Sequence, residues 1–341
     1  MRCSSGFEYT RLDGLLSEPF QIIERPVKAY LDRSVIAGLL VRSVKDAFRP
    51  LPRVRIQPAR PAGDPLVSIV IPTYNRSEVL RITIDTVLWQ SEQNFELIIV
   101  GDGCTDDTEA VLRSIGDARI RWHNLPANSG HQSAPNNAGF ALSRGKYIAQ
   151  LGHDDIWHPE HLRTLLETLG DDRADFAMSL MENRGGPGSS YKEVSGSFSG
   201  GRYDPIKCSA PSALMFRRSV YEKIGDWLDY RKIPINPECD YQYRAYLAGF
   251  RMASTRALTV FKFNSTFFRN CYIEKPCEMQ RQYRERILSQ RTFLLRETLD
   301  IAQVHLRKLP MYAPAVPPAP EPNTPGWHIS YYRKLRGLDD K

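Results

Sequence analysis

The sequence predicts an α/β protein built on a mostly parallel sheet, and three features carry that prediction. Two strand-like runs, L-V-S-I-V-I-P from Leu66 and F-E-L-I-I-V from Phe95, are separated by a stretch of helical period from about Ser77 to Gln90. Both runs are nearly continuously apolar, broken only by Ser68 and Glu96, as strands covered on both faces are, rather than alternating. The helices after them open on side chains suited to capping, because Asn75 precedes Glu78, and Asp106 precedes Glu109, by three residues.

The remaining elements follow in order. Residues 34 to 48 alternate apolar and basic side chains at helical spacing, which suits a packing helix or one lying on a membrane surface. Residues 50 to 65, rich in Pro and Arg, read as an extended linker that ends at a domain boundary near Asp64. Further strands are expected near Arg119, from Lys146 and from Ala174, with helices over Ala134 to Ser143 and Pro159 to Leu169. The Gly- and Ser-rich run beyond Met181 predicts a loop or turn-rich hairpin, and a helix begins at about Glu238. One long charged helix is expected from about Pro276 to Leu309, then a Pro-rich spacer and the basic-aromatic tail W-H-I-S-Y-Y-R-K-L-R. The expected division is an N-terminal extension (1–64), the α/β domain (65–270), a helical region (271–310), and a spacer with its tail (311–341).

Composition narrows the classes. With 46 Lys plus Arg against 39 Asp plus Glu and 42% hydrophobic residues among 341, wholesale disorder and a fibrous repeat are excluded. The net charge of +7 is dispersed rather than gathered in one arginine-rich stripe, so no nucleic-acid partner is expected. The six cysteines show no zinc-ribbon spacing and read as reduced thiols of a cytoplasmic protein. Arg11, Asp13, Glu18 and Glu24 stand where a signal peptide needs an apolar run, and no later segment has the apolar length of a membrane span.

In an open parallel sheet, ligands sit at the carboxyl ends of strands. Three polar clusters fall there: Pro72, Thr73, Tyr74, Asn75 and Arg76 after the first strand, Gly101 to Asp107 after the second, and Gly152, His153, Asp154 and Asp155 after the strand from Lys146. Neither G-x-G-x-x-G nor G-x-x-x-x-G-K-[ST] occurs, so dinucleotide and P-loop readings lose their phosphate cradle. Acidic clusters at such ends suit a divalent cation bridging carboxylates to phosphates.

The blocks S-I-V-I-P-T-Y-N-R, F-E-L-I-I-V-G-D-G-C-T-D-D-T, N-S-G-H-Q-S-A-P-N-N-A-G, G-K-Y-I-A-Q-L-G-H-D-D-I-W-H-P-E-H-L and P-E-C-D-Y-Q-Y-R, in this order, resemble family 2 glycosyltransferases with a GT-A, Rossmann-like fold. The resemblance covers about Pro65 to Gly249. It implies that Pro72, Thr73, Tyr74, Asn75, Arg76 and Asp102 hold a nucleotide-sugar donor, with Tyr74 offering a ring to the base and Asp102 accepting from the base or ribose; Tyr74 as core and Asp102 as a turn residue is the plainer reading. The family's Asp-x-Asp motif appears as G-H-D-D, with Gly152 at its first position. Asp154 becomes the implied ligand of Mn2+ or Mg2+, His153 a donor-site or turn residue, and Asp155 a second ligand or a helix cap. Asn136 stands where relatives commonly carry Arg, so a donor contact passes to Asn136, Asn137 or His131, unless these are local caps.

The implied reaction is displacement at an anomeric carbon with inversion, which needs a base for the acceptor hydroxyl. Counting back from Arg244 puts the base at Glu238, where relatives usually have Asp, with Asp240 the next acidic residue; both also suit a helix N-terminus. The expected partners are a UDP-linked or related donor and a glycan or lipid-linked acceptor of surface polysaccharide synthesis. Trp157 is expected to be a structural wedge, His158 a surface residue, and Arg217 and Arg218 exposed helix-start cations. The tail, with Trp327, Tyr331, Tyr332, Arg333, Lys334 and Arg336, either docks on an anionic membrane or partner or folds back on its own domain. A silent glycan- or nucleotide-binding module and a sugar-phosphate nucleotidyltransferase are the rival classes.

Overall fold

The computed structural model describes residues 31–59, 63–170, 173–185, 191–198, 203–205, 207–263, 270–307 and 326–338. Its first half alternates strictly: α1 (Arg33–Ala47), β1 (Val67–Thr73), α2 (Ser77–Leu88), β2 (Phe95–Gly101), α3 (Thr108–Ile115), β3 (Ile120–Asn124), α4 (Ser133–Leu142) and β4 (Tyr147–Gln150). The second half is less regular: β5 (Ile156–Trp157), α5 (His161–Leu169), β6 (Phe176–Arg184), β7 (Lys192–Ser195), β8 (Leu214–Arg217), α6 (Arg218–Ile224), α7 (Pro237–Leu247) and β9 (Met252–Phe263). Four helices follow: α8 (Cys271–Glu274), α9 (Glu278–Ser289), α10 (Phe293–Leu306) and α11 (Trp327–Leu335).

Among the described residues the strands form one mixed sheet in the order β3-β2-β1-β4-β8-β6-β9-β5, with β7 paired to β6. The strands β3, β2, β1 and β4 run parallel, and β8 enters antiparallel between β4 and β6. Every residue of β1 is buried, which explains its unbroken apolar run. Ile69 and Ile71 pack with Leu80 and Ile84 of α2, and Val70 packs on the other face with Phe140 of α4. At Gly139 a Cβ would lie 2.3 Å from Val70 Cγ1, so only glycine lets α4 cross β1 this closely.

Several expectations change. The long C-terminal helix is two helices, α9 and α10, broken over residues 290 to 292 so that Tyr283 and Phe293 can both face Phe261 of β9. That strand, β9, had no clear sequence signal; it is the longest described strand and runs parallel to β6 with a bulge. His158 is buried rather than a surface residue, with Nε2 3.1 Å from Asp46 Oδ2 of α1. Helix α1 packs on α10 and β9 through Val35, Ile36 and Leu39, leaving Val41, Val44 and Phe48 exposed. Among the described residues no helix is long and apolar enough to cross a membrane. The run after Met181 is the β6–β7 hairpin, whose tip at 186–190, like the Pro-rich spacer, lies outside the described residues.

Candidate active site

The carboxyl ends of β1, β2 and β4 meet at one edge of the parallel half-sheet. The chain leaves β1 through Asn75, which has a positive φ of 47°. This turn aims the Asn75 amide across at the next loop, where Oδ1 accepts from the backbone N–H of Thr105 (2.8 Å) and Asp106 (3.2 Å). Asp106 answers by accepting from Ser77 N–H at the start of α2. Both residues therefore cap, but Asn75 serves the neighbouring loop rather than its own helix. Asp102, after β2, accepts from the N–H groups of Ser129 (2.9 Å) and Gly130 (3.3 Å). Burial raises its pKa, and those two bonds and the nearby Arg333 only partly counter this.

Arg76 joins the first and third clusters. Its Nη1 lies 3.0 Å from Asp154 Oδ2, its Nη2 donates to Pro276 O at 3.0 Å, and its guanidinium stands 5.5 Å from the ring centre of Tyr272. Tyr272, from α8, also faces His153 (6.0 Å, edge-on) and the half-buried Tyr74 (6.3 Å). Burial pushes the His153 imidazole down to about 4, so it is neutral at physiological pH. Burial alone would raise Asp154, but its coupling to His153 and the charges of Arg76, Lys262 and Arg336 outweigh it and hold the carboxyl below its ordinary value.

Asp155 is wholly enclosed. It accepts from Ser212 Oγ, from Lys262 Nζ (3.2 Å) and from Phe263 N–H (3.3 Å), so both its oxygens are engaged. It caps no helix; it ties the loop after β4 to β9. Trp157 is the wedge expected, fully buried, donating from Nε1 to Ser212 O at 2.7 Å and stacked on His161. Arg217 pairs with Asp175 and Arg218 donates to Gly145 O, so neither is an exposed cation aimed at phosphate.

Deeper in the cleft, several buried polar atoms have no hydrogen-bond partner: both amide atoms of Asn136, both of Gln150, and Thr73 Oγ1. Strand alternation puts Gln150 on the face of Ile148, which packs with Val70 and Phe140, and Asn136 lies one turn before Phe140 on the same α4. Asn137, by contrast, is spent on Trp227, donating to its carbonyl and accepting from its N–H, each at 2.9 Å. The two carboxylates of α7 divide in the same way. Asp240 is buried in an ion pair with Arg244 at 2.8 Å. Glu238 is half-buried, its Oε2 is shut from solvent without a hydrogen-bond partner, and burial raises its pKa against the pull of Lys262 and Arg336.

The tail returns to this edge. Arg333 of α11 donates to Gly130 O at 2.6 Å, and the carbonyls of Leu335 and Arg336 accept from Asn270 and Tyr272 N–H at 2.9 and 3.0 Å. Of the two readings of the tail, the structure has the one that folds back on the domain. Gln150, Lys262 and Tyr272 were absent from the sequence-derived site. Gln150 had a signal, being a polar residue inside an apolar strand; Lys262 lies on β9, which was not among the expected strands, and Tyr272 on α8, just before the helix expected from Pro276.

With this geometry in place, comparison with known proteins is informative. Residues 68–225 match the profile of glycosyl transferase family 2. An uncharacterized glycosyltransferase of Rickettsia prowazekii is 41% identical over 108 residues, 31% of this chain and 33% of that protein. The poly(ribitol-phosphate) beta-N-acetylglucosaminyltransferase TarP of Staphylococcus aureus is 31% identical over 165 residues, 46% of this chain and 50% of that one. The chain thus spans half or less of the length of these relatives. A crystal structure of S. aureus TarS in complex with UDP-GlcNAc aligns at a TM-score of 0.48 and 18% identity over 58% of both chains. The matched residues run from β1 to the end of α6 and hold Arg76, Asp102, Asn136 and Asp154, and the mixed sheet with flanking helices is the α/β architecture expected.

The residues expected to bind a divalent cation do not fit one. Both oxygens of Asp155 already accept hydrogen bonds, one oxygen of Asp154 faces Arg76, and the charge of Lys262 acts on both carboxylates. A Cβ at Gly152 would lie 3.0 Å from Asp155 Oδ2 and 3.3 Å from Ser212 Oγ, leaving little room for the aspartate the family pattern has there. Among the described residues no group of three or more His, Cys, Asp or Glu side chains could hold a metal.

Proposed function

We propose that this chain is an inverting glycosyltransferase that moves a sugar from a nucleoside-diphosphate donor, UDP-linked by expectation, to a hydroxyl of a glycan or lipid-linked acceptor in surface polysaccharide synthesis. The observation that carries this reading is the contrast on α7: Asp240 is committed to Arg244, while Glu238 keeps a buried oxygen with no partner and feels the same Lys262 and Arg336 that act on Asp154. A carboxylate with a raised pKa, held at a helix start beside a donor cleft, suits a base that takes the acceptor proton. The acceptor oxygen then forms the new bond to the anomeric carbon as the bond to the departing diphosphate breaks.

In this proposal Tyr74 and Asp102 meet the nucleoside, and Asn136 and Gln150 satisfy their buried amides on the donor. Asp154 orients Arg76 rather than a cation, so metal dependence, expected from the sequence, is not carried forward. The acceptor class follows two relatives, TarP and the putative teichuronic acid biosynthesis glycosyltransferase TuaG of Bacillus subtilis.

The test is a panel of UDP-, GDP-, TDP- and CMP-linked sugars, read by thermal shift and by release of free nucleotide. One donor is expected to shift the melting point and release its nucleotide. Glu238→Gln is expected to keep the shift and lose transfer. A donor that binds without release even with acceptors present turns the reading to a silent binding module. Full transfer by Glu238→Gln together with loss in Asp240→Asn moves the base to Asp240.

A further inference from the structure

A departing nucleoside diphosphate leaves with negative charge that something in the cleft must hold. The same edge that lacks a cation-binding carboxylate set is crowded with side-chain cations. Arg76 is buried beside Asp154, Lys262 is tied to Asp155 on the loop after β4, and Arg336, the C-cap of α11, adds its charge to those acting on Asp154. Arg336 is fixed there by its backbone: its carbonyl accepts from Tyr272 N–H, and the preceding carbonyl, of Leu335, accepts from Asn270 N–H. Its neighbour Arg333 anchors the same helix on Gly130, the residue whose N–H binds Asp102.

The three cations differ in what already neutralises them. Arg76 has Asp154 and Lys262 has Asp155, but Arg336 has no carboxylate within ion-pair distance among the described residues, and its Nε is buried without a hydrogen-bond partner. Glu238 feels both Lys262 and Arg336 without pairing to either, so the cation with no ion-pair partner among the described residues comes from the tail. Arg336 is half-buried, with its guanidinium 5.9 Å from the ring centre of Tyr332, and a guanidinium with an unspent Nε–H is suited to a phosphate's oxygens.

We infer that Arg336, together with Arg76 and Lys262, forms a metal-free cradle for the donor diphosphate, with the C-terminal helix supplying the residue that completes it. The inference rests on the donor-binding reading above and deepens it. When the anomeric carbon–oxygen bond breaks, its electron pair stays on the terminal phosphate, and the charge develops against the guanidinium of Arg336 while the acceptor proton goes to Glu238. The tail is thus part of the site, and its basic residues are accounted for without a membrane.

The experiment is titration of UDP and of GDP into the full chain, in EDTA and separately with Mn2+, for wild type, Arg336→Gln and Arg336→Lys. Binding of one nucleotide is expected in EDTA, changed less than about threefold by Mn2+, and weakened about tenfold or more by Arg336→Gln. Arg336→Lys, which keeps the charge but not the planar fork, is expected to fall between the two. Melting points of both variants equal to wild type separate lost binding from lost folding. Binding that vanishes in EDTA and returns with Mn2+, or an Arg336→Gln that binds as wild type, overturns the inference while leaving the transferase reading in place. Failure of either nucleotide to bind under both conditions, with no release from any donor in the panel, overturns both.

Discussion

The two ends of the parallel half-sheet each bury an arginine beside an aspartate, and they treat it in opposite ways. At the amino end of the strands, Arg119 is 2% exposed and all its donors are used: Nε on Asp117, Nη1 on Gln93, and Nη2 on Arg55 O and Asp117. At the carboxyl end, Arg76 is 3% exposed, yet its Nε has no partner, and Asn136, Gln150, Thr73 and Glu238 nearby also hold unpaired buried atoms. A closed network holds a fold together, whereas buried polar groups left open cost stability and persist where a ligand satisfies them. On the proposal above, the open groups at the carboxyl end are the ones a donor would satisfy.

The sharpest way to break the comparison is Glu238→Gln. It is expected to cut transfer by about 10²- to 10⁴-fold while donor affinity is kept, as removal of a general base does. Because burial raises this carboxyl, the neutral amide should leave stability at neutral pH unchanged or higher, measured by urea unfolding. Next is Arg119→Met, expected to cost about 3–5 kcal/mol of stability by stranding Asp117, with donor affinity of the folded protein unaltered. Burial alone would raise Asp117, but Arg119 holds it below its ordinary value; its contribution is present at neutral pH and is lost as pH falls through that lowered value. Unfolding measured from neutral to acid pH should show this loss in wild type and a flatter profile in Arg119→Met.

Asp240→Asn tests the second pair of opposites. It weakens the buried bond to Arg244 and should lower unfolding free energy by about 2 kcal/mol, with kcat for the folded fraction kept. The smallest effect belongs to Asn136→Leu, which replaces an amide with no partners by an apolar side chain of similar size. It is expected to raise stability by about 1 kcal/mol and to weaken donor binding, measured by melting and by nucleotide titration. A loss of stability there would mean that the amide is already satisfied and that the two ends are alike.

Much of the first half of the fold was legible. The runs at β1, β2 and β4 and the helices between them follow from local pattern, since strands buried on both faces read as apolar blocks. The clusters at Arg76, Asp102 and Asp154 were found because ligands collect at such strand ends. Helix capping was read correctly for Asp106, which accepts from Thr108 N–H at the start of α3 as well as from Ser77 N–H, but not for Asn75, which serves the neighbouring loop instead of α2. The break between α9 and α10 was missed because packing on Phe261 sets it, and nothing in the charged sequence marks it.

What the sequence by itself determined was the alternation of strand and helix, the edge at which polar residues gather, and the kinds of chemistry they offer. Those depend on neighbours within a few residues, where periodicity and capping act. Only the tertiary structure decided which of them is spent and which is available: Asp155 closed by Ser212 and Lys262, Asp240 by Arg244, Asn137 by Trp227, with Glu238, Asn136 and Gln150 left open. It also brought Arg336 beside Asp154 and Glu238 across more than a hundred residues of chain or nearly so, a pairing no local pattern encodes because hydrogen-bond capacity is settled between groups distant in sequence.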